Sequence, residues 1–308
     1  MTGAIDIVCS PATPKDIRLG RVGLDERAMA QLRMPAKYHK GVPMKDYIGM
    51  MDEGNVDRSL LIAVRAGDMK KRHSFEVPYE DVYETCQKYP DRFSGLAGID
   101  PTRGMQGLRE LEHAVTKLGF VGAHIYPHWI ELAPDAAQYY PYYAKCCELD
   151  IPIMMQVGHN LIYQQERRLA TLQRPILLDR VAIDFPDLKI IGIHIGIPWT
   201  DEMISMCWKH ENVYTCGDAY APKHWPKQFV HYANTYGQDK VLFGTDWPAL
   251  SPKRCMDEIA ELGFRPEPLR KMLRENALKV FTRLPEAKAA QRKVKAQAQA
   301  QATKKRGR

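Results

Sequence analysis

The sequence predicts a (β/α)8 TIM barrel, a single domain with long strand-to-helix loops, on three observations. Eight short apolar runs rich in β-branched residues alternate with helical stretches along most of the 308 residues. Such runs are typical of parallel strands that are buried on both faces. The eighth run is followed by Gly244-Thr245-Asp246-Trp247-Pro248, which places an acid at the C-terminal end of a strand. In a barrel of this kind, that end carries the chemistry.

The strand and helix candidates follow one another in a regular order. The predicted strands span residues 4–9, 57–64, 94–99, 120–125, 151–157, 188–193, 211–215 and 240–243. The predicted helices span residues 44–54, 79–89, 105–118, 138–149, 172–184, 200–209 and 223–236. A doubly wound open sheet is the structural alternative, but no Gly-x-Gly-x-x-Gly follows the first strand to support a dinucleotide site.

Long loops are predicted on one face of this barrel. Residues 10–43 form an insertion after the first strand, and residues 126–137 and 158–171 follow the fourth and fifth strands. Loops of this length are usually functional or poorly ordered. We expect the insertion to lie over the barrel mouth, and we expect residues 252–283 to form the helices that close the barrel.

The last part of the chain differs from the rest in composition. Residues 287–308 contain eight lysines and arginines and no acid, which accounts for the net charge of +7 and leaves the body close to neutral. We therefore divide the chain into a barrel over residues 1–285 and a basic, low-complexity tail over residues 286–308 that is expected to be disordered. The basic charge belongs to this tail, so a nucleic-acid partner is not expected.

Composition sets the broad class of the protein. Hydrophobic residues make up 45% of the chain and charged residues 26%, as in ordinary globular proteins. No apolar run approaches the roughly 20 residues that span a bilayer, and the N-terminus lacks a signal-type segment. Seven cysteines without a Cys-x-x-Cys pair fit a reduced compartment. These features predict a cytoplasmic protein with no membrane partner.

Histidines recur where the predicted strands end. His194 ends the apolar run of the sixth strand, His124 lies in the fourth strand, and His159 follows the fifth. Each could be structural, but imidazoles at the ends of parallel strands converge on one barrel mouth. A basic side chain that ends a buried run also needs a polar partner or a function. We expect His194 and His159 to be catalytic and His124 to bind substrate.

Other candidates come from the same face. Asp246 could cap the following helix, but Pro248 and Pro252 move that helix away, which favours a site role. Arg65 follows the second strand and could receive a substrate carboxylate, or it could belong to a solvated loop. Trp199 follows the sixth strand and could form an aromatic wall for a planar ligand, or it could pack in the core.

Several motifs taken together resemble the amidohydrolase superfamily, in the branch that includes aminocarboxymuconate semialdehyde decarboxylase, resorcylate decarboxylases and related lactone hydrolases and hydratases. The resemblance covers roughly residues 4–284, and its strength lies in the order of the motifs along eight strands. These motifs are Ile5-Asp6, Gly119-Phe120-Val121-Gly122, the stretch 180–189, His194-Ile195-Gly196, the stretch 241–248 and Glu275-Asn276-Ala277.

The resemblance implies a metal site that this chain largely lacks. The family's strand-eight aspartate matches Asp246, and its strand-six histidine matches His194. Its strand-one His-x-His falls on Val8 and Ser10, and its strand-five histidine falls on Gln156, which we assign to substrate binding. A catalytic metal usually has three protein ligands. We therefore expect no tightly bound metal and no other cofactor; a zinc ion, if bound, would use Asp246, His194 and His159.

The function expected from these residues is hydrolysis of a small carboxylated lactone or enol ester, by acid–base chemistry of His194 and Asp246. Aromatic-compound catabolism is the expected setting. In this hypothesis, Arg65 holds the carboxylate of the small-molecule substrate. Non-oxidative decarboxylation of a hydroxyaromatic or unsaturated acid is the alternative enzyme, and a catalytically inactive barrel that binds a ligand or a subunit is the alternative from another class. The resemblance leaves a homodimer as an option.

Overall fold

The computed structural model describes residues 3–71, 74–159 and 168–292. Eight parallel strands form one sheet in which strands adjacent in sequence are adjacent in space. This is the predicted barrel, and each strand lies within two residues of its predicted bounds. The strands are Ala4–Cys9, Val56–Ala63, Phe93–Gly98, Gly122–Ile125, Ile153–Gln156, Ile190–Ile193, Val213–Gly217 and Val241–Phe243.

The barrel closes between its eighth and first strands through main-chain contacts. Cys9 and Trp247 form a parallel bridge, and the Ser10 N–H donates to the Trp247 carbonyl at 3.0 Å. The Asp246 N–H donates to the Val8 carbonyl at 2.9 Å. These contacts bring the Gly244–Pro248 stretch against the end of the first strand. Asp246 is thus held at the rim of the closed barrel.

The strands form because their side chains can be buried on both faces. Leu60, Leu61, Ile62 and Ala63 of the second strand are completely buried, and the strands on either side are buried along their whole length. Burying aliphatic side chains of this size stabilises a fold by roughly 1.5–3 kcal/mol each. The sequence pattern predicts strands because most residues in these runs are apolar or small.

Helices surround the strands. Those of nine or more residues are Met44–Glu53, Tyr79–Lys88, Gly104–Thr116, Tyr140–Glu148, Thr200–Lys209 and Pro252–Ala260. The shorter ones are Pro14–Arg18, Glu26–Gln31, Pro127–Ile130, Leu178–Asp184, Lys227–Asn234, Pro266–Arg270 and Asn276–Val280, with a π-helical turn at Lys271–Glu275. A two-residue hairpin pairs Arg65–Ala66 with Phe75–Glu76.

The insertion after the first strand folds over the barrel mouth, as the sequence predicted. It contains two short helices, capped by the side chains of Thr13 and Asp25. The Tyr38 ring meets the Trp247 ring edge-on, with centroids 5.1 Å apart. Since Trp247 follows Asp246 directly, this contact places the insertion beside the site. Of the predicted loop over residues 158–171, residues 160–167 lie outside the described part of the chain.

The barrel contacts extend past the boundary that we drew at residue 285. Residues 285–292 are helical, and Ala287 is buried. The Glu286 carboxylate accepts a hydrogen bond from Nε of buried Arg58 at 2.7 Å. This short segment has enough apolar and paired polar contacts to pack on the body. The rest of the predicted tail, residues 293–308, lies outside the described residues.

Within the described residues, no helix combines the length and the apolar character needed to cross a membrane.

Candidate active site at the barrel mouth

Three titratable side chains meet at the carboxyl ends of the last three strands. His194 follows the sixth strand directly, Asp218 follows the seventh directly, and Asp246 comes three residues after the eighth. Each offers one nitrogen or oxygen such that these atoms all lie within 4.8 Å of one another. Carboxyl ends of parallel strands converge at one rim, so the fold itself assembles this cluster.

Asp218 holds His194 by two hydrogen bonds. The His194 backbone N–H donates to Oδ1 of Asp218 at 2.7 Å, and the ring Nδ1 lies 2.6 Å from Oδ2. Burial alone would lower the pKa of His194, but the charges of Asp218 and Asp246, with the hydrogen bond to Asp218, outweigh it and raise the pKa. The imidazole is therefore oriented and biased toward its charged form.

Asp246 is the accessible acid of the cluster. Its side chain is partly exposed, whereas Asp218 is buried. Burial of the carboxyl raises the pKa of Asp246 to about 7; the nearby His194 opposes this rise and the charge of Asp218 adds to it. A carboxyl group with a pKa near neutrality can both give and take a proton at physiological pH.

The main chain at this cluster adopts a conformation that side chains rarely allow. His194, Ile195 and Asp246 have φ values of 69°, 61° and 57°. Left-handed backbone at non-glycine residues costs of order 1–3 kcal/mol and persists only where surrounding contacts hold it. At His194, the hydrogen bond from its own N–H to Asp218 is such a contact. The strained segment coincides with the residues that carry the chemistry.

A second buried acid, Asp6, is hydrogen bonded to Thr245, just after the eighth strand. Its carboxylate accepts hydrogen bonds from the Val8 and Thr245 N–H groups at 3.1 and 3.0 Å, and from the Thr245 hydroxyl at 2.7 Å. Burial raises the pKa of Asp6 to about 7 despite these bonds. Because Thr245 precedes Asp246, Asp6 positions the Asp246 backbone without being exposed itself.

His124 occupies the end of the fourth strand and is buried with 1% exposure. Neither ring nitrogen has a hydrogen-bond partner among the described residues. Burial lowers the pKa of His124 to about 3, with smaller contributions from His194 and His128. Its ring packs against that of Tyr126, two residues along the chain, with centroids 4.3 Å apart.

His128, to which the sequence analysis assigned no site role, is also buried. Its Nδ1 lies 3.4 Å from Nε2 of Gln173.

The remaining predicted site residues lie in other surroundings. His159 is exposed, with its ring 6.4 Å from that of Trp199, and it is not part of the three-residue cluster. Trp199 is partly buried beneath the Arg174 guanidinium, which lies 5.1 Å from its ring. Gln156 is partly buried at the end of the fifth strand, in register with Ile193.

Arg65 is committed to an internal ion network. The side chain is only 8% exposed, and it pairs with Glu76 and lies 3.8 Å from Glu110. Its guanidinium also lies over the Tyr79 ring at 4.6 Å. Arg103 lies 3.3 Å from Glu76 and 2.9 Å from Glu110, so two arginines and two acids form one network. The substrate-binding role expected for Arg65 would require its guanidinium to leave this network.

Sequence reasoning missed Asp218. The strand was predicted to end at residue 215, which left Asp218 three residues beyond it, whereas the strand runs to Gly217. The signal was present, since Gly217-Asp218 repeats the pattern of a glycine and an acid at a strand end that identified Asp246. Gly244 has a steric role in this arrangement: a Cβ there would lie 2.9 Å from Val8 Cγ2 and 3.1 Å from Asp218 Cβ.

The donor groups do not reproduce the metal site that the resemblance implies. Val8, at the first expected histidine, is 1% exposed and contributes only methyl groups, and Gln156 offers a neutral amide. His194, Asp218 and Asp246 could supply three ligand atoms. However, both oxygens of Asp218 already accept hydrogen bonds from His194, so an ion would compete with that pair. We derive no chemistry from a metal at this site.

Comparison with known proteins supplies the context for this cluster. An amidohydrolase family model matches residues 33–283. Gamma-resorcylate decarboxylase of Rhizobium sp. is 24% identical over 247 residues, which cover 64% of this chain and 72% of that protein.

Solved structures agree with this fold. The uncharacterised TIM-barrel protein Bb4693 of Bordetella bronchiseptica superimposes with a TM-score of 0.75 at 23% identity, over 91% of this chain and 99% of that one. A dihydroxybenzoic acid decarboxylase of Polaromonas sp., with bound manganese and the inhibitor 2-nitroresorcinol, gives a TM-score of 0.68 at 21% identity. That superposition covers 92% of this chain and 97% of the Polaromonas chain.

Proposed function

Because this chain belongs to the amidohydrolase family, we propose that it is a non-oxidative decarboxylase of a hydroxyaromatic acid. The observation that carries the proposal is Asp246, an accessible carboxyl with a pKa of about 7 beside the His194–Asp218 pair. Decarboxylation of an aromatic acid requires a proton at the carbon that loses carbon dioxide. A carboxyl group that is about half protonated at neutral pH suits that task.

The proposed step transfers one proton and breaks one bond. The Asp246 carboxyl gives its proton to the ring carbon that bears the substrate carboxylate, forming a C–H bond. The C–C bond to the carboxylate then breaks, its electron pair returns to the ring, and carbon dioxide leaves. Asp246 is left ionised and regains a proton from solvent. No oxidant or reductant is consumed.

His194 is the proposed anion-binding group. With Nδ1 bound to Asp218, its Nε2 is left for the substrate, and the raised pKa of His194 favours the imidazolium. Charge-assisted hydrogen bonds from such a group are about twice as strong as neutral ones. His194 thus replaces Arg65, whose charge is neutralised by Glu76 and Glu110, as the group that receives the substrate carboxylate.

The lactone hydrolysis that the sequence first suggested uses the same acid–base pair but has weaker support. The relative of known activity described above is a decarboxylase, and Arg65, which the hydrolytic hypothesis needed for the substrate carboxylate, is already paired. The convergence of His194, Asp218 and Asp246, with shifted pKa values at His194 and Asp246, supports an enzyme over an inactive barrel.

A panel assay tests the proposal. The purified chain is incubated with benzoates that carry hydroxyl groups at different ring positions, and with small carboxylated lactones, and products are separated by liquid chromatography. We expect loss of carbon dioxide from at least one hydroxybenzoate and at least 100-fold less from the Asp246→Asn variant. Glu261→Gln, at an exposed helix end remote from the mouth, is the control that should keep full activity. Turnover of lactones alone would contradict the proposal.

A further inference from the structure

Two buried histidines at the barrel mouth differ in their hydrogen bonding and in the direction of their pKa shifts. His194 has two hydrogen bonds to Asp218 and a raised pKa. His124 has no hydrogen-bond partner among the described residues, and its pKa is lowered. The two are close enough for His194 to contribute to the shift at His124. His194 is thus already held by the protein, whereas both ring nitrogens of His124 are left for a ligand.

His124 faces the mouth rather than the surrounding helices. It lies in the fourth strand, in register with Gly98 and Met154, and Tyr126 two residues later is on the same side of the chain. The Tyr126 ring contacts that of His124, and its hydroxyl interacts with Ser10 at the end of the first strand. After burial, the charges of Asp246 and Asp218 contribute to the raised pKa of Tyr126. The His124 ring therefore lies on the side of the strand that faces His194, Asp218 and Asp246.

An unpaired buried imidazole is costly. Leaving a buried donor or acceptor unsatisfied is unfavourable, and buried polar groups in native proteins nearly always have a partner. A neutral imidazole presents one N–H donor and one nitrogen acceptor. A hydroxyl can both donate and accept a hydrogen bond, so it can satisfy His124 in either tautomer.

We propose that His124 determines substrate specificity by hydrogen bonding an un-ionised hydroxyl of the substrate while His194 binds its carboxylate. The mouth then selects a ligand that carries both an anionic group for His194 and a neutral hydroxyl for His124. This assignment rests on the proposed function for the aromatic acid, but it concerns binding and is tested without turnover. A site that hydrogen-bonds a hydroxyl rejects analogues that lack it, because its own polar group is then left unpaired.

The test compares ligands that differ by one group. Dissociation constants of benzoate, 2-hydroxybenzoate and 2-methoxybenzoate are measured by calorimetry in the Asp246→Asn background, which prevents consumption of the ligand. We expect 2-hydroxybenzoate to bind about 10-fold more tightly than the other two, corresponding to one hydrogen bond. In His124→Phe, which keeps an aromatic ring without nitrogen, this preference should disappear, while benzoate affinity changes less than about twofold.

Tyr139→Phe is the matched control. It removes another buried polar atom without a described partner, at a phenol that stacks on Tyr143 in the helical layer. We expect it to leave all three affinities unchanged. A 10-fold preference that persists in His124→Phe would overturn the assignment, as would equal binding of benzoate and 2-hydroxybenzoate by the parent. Either result is distinguishable from failure of the proposed function, which is judged by carbon dioxide release.

A second measurement does not depend on the folding of His124→Phe. Nitrogen-15 NMR of the imidazoles in the unsubstituted chain reports whether His124 is neutral and whether its nitrogens gain a hydrogen bond. We expect its resonances to shift when 2-hydroxybenzoate is added and to stay in place with benzoate. Shifts of equal size with both ligands would mean that His124 responds to occupancy alone, and a structural water would then be its partner.

Discussion

Asp218 forms two hydrogen bonds with His194: its carboxylate accepts one from the backbone N–H and one from the ring Nδ1. The backbone bond fixes the left-handed conformation of His194, and the ring bond fixes the direction of the imidazole. A carboxylate in this position does more than shift a pKa, because it also decides which ring nitrogen is left for the substrate. The His194–Asp218 pair is therefore the rigid element of the site, and Asp246 is the accessible one.

Asp218→Asn should lower turnover by about 100-fold while the chain stays folded. The amide keeps the shape of the side chain but removes the charge that favours imidazolium at His194. Because Asp218 raises the pKa of His194, its removal lowers that pKa, and the alkaline limb of the pH–rate profile should move to lower pH. Steady-state kinetics between pH 5 and 9 measures both effects. An unmoved alkaline limb would show that the limb does not report His194.

Asp246→Asn and His194→Asn should each lower turnover by about 10²–10⁴-fold, and the double variant should lose little more. Asp246 can protonate only a substrate that His194 holds in place, so the two residues act as one functional unit and their effects should be strongly non-additive. The free energy of unfolding should change by less than about 2 kcal/mol in Asp246→Asn, because Asp246 is partly exposed. Denaturant titration of each variant separates this result from misfolding; fully additive losses would argue against a single unit.

The purified chain should contain less than one tightly bound divalent ion per molecule. Val8, Ser10 and Gln156 supply no imidazole at the positions where the family resemblance expects one, and Asp218 is hydrogen bonded to His194. Elemental analysis after expression with added manganese and zinc tests this expectation. Replacing Val8, Ser10 and Gln156 with histidine provides the positive control, which should gain metal. One ion per chain, removed by a chelator together with activity, would be the opposite outcome.

The segment 286–292 should stabilise the barrel. Ending the chain at residue 285 removes buried Ala287 and the Glu286 carboxylate that pairs with buried Arg58. We expect this truncation to be about 2 kcal/mol less stable than a chain that ends at residue 292. Glu286→Gln should reproduce part of the loss, while Glu261→Gln at an exposed site should not. Equal unfolding free energies for the two truncations would show that these contacts contribute nothing.

Asp6 and Asp246 should each make the fold less stable as the pH rises from about 4 to about 7. Asp6 and Asp246 have folded-state pKa values of about 7 against an ordinary value of 3.8, so over this range the folded chain holds protons that the unfolded chain has lost. Each group contributes a slope of up to about 1.4 kcal/mol per pH unit. Asp6→Asn should remove its share of the slope, whereas exposed Asp91→Asn should leave it intact. Urea unfolding at pH 5, 6 and 7 measures the slope, and identical slopes in parent and Asp6→Asn would refute the assignment.

The barrel was readable from the sequence because its strands are buried on both faces. Leu60–Ala63 and Ile190–Ile193 contain no polar residue, so the composition of these runs identifies them as strands and gives their approximate positions. Asp246 and His194 could be placed at the mouth for the same reason, since a polar residue that ends such a run marks the end of a strand.

Contacts between distant parts of the chain could not be read in this way. Arg65 looked available because its partners, Glu76 and Glu110, come from a hairpin and a helix whose positions the sequence does not give. His159 comes three residues after its strand, and the path of those residues decides its exposure. The sequence analysis missed Asp218 because the predicted strand ended two residues too early. The prediction of residues at the barrel mouth thus depends closely on where each strand is taken to end.

The most direct test of the account follows the transferred proton. The chain is incubated in D2O at neutral pH with the hydroxybenzoate that the panel assay identifies, and the product is examined by proton NMR. We predict one deuterium at the carbon that lost the carboxylate in every product molecule, with the rate reduced at least 100-fold in Asp246→Asn. Product formed at the parental rate by Asp246→Asn would contradict the central claim that this carboxyl delivers the proton.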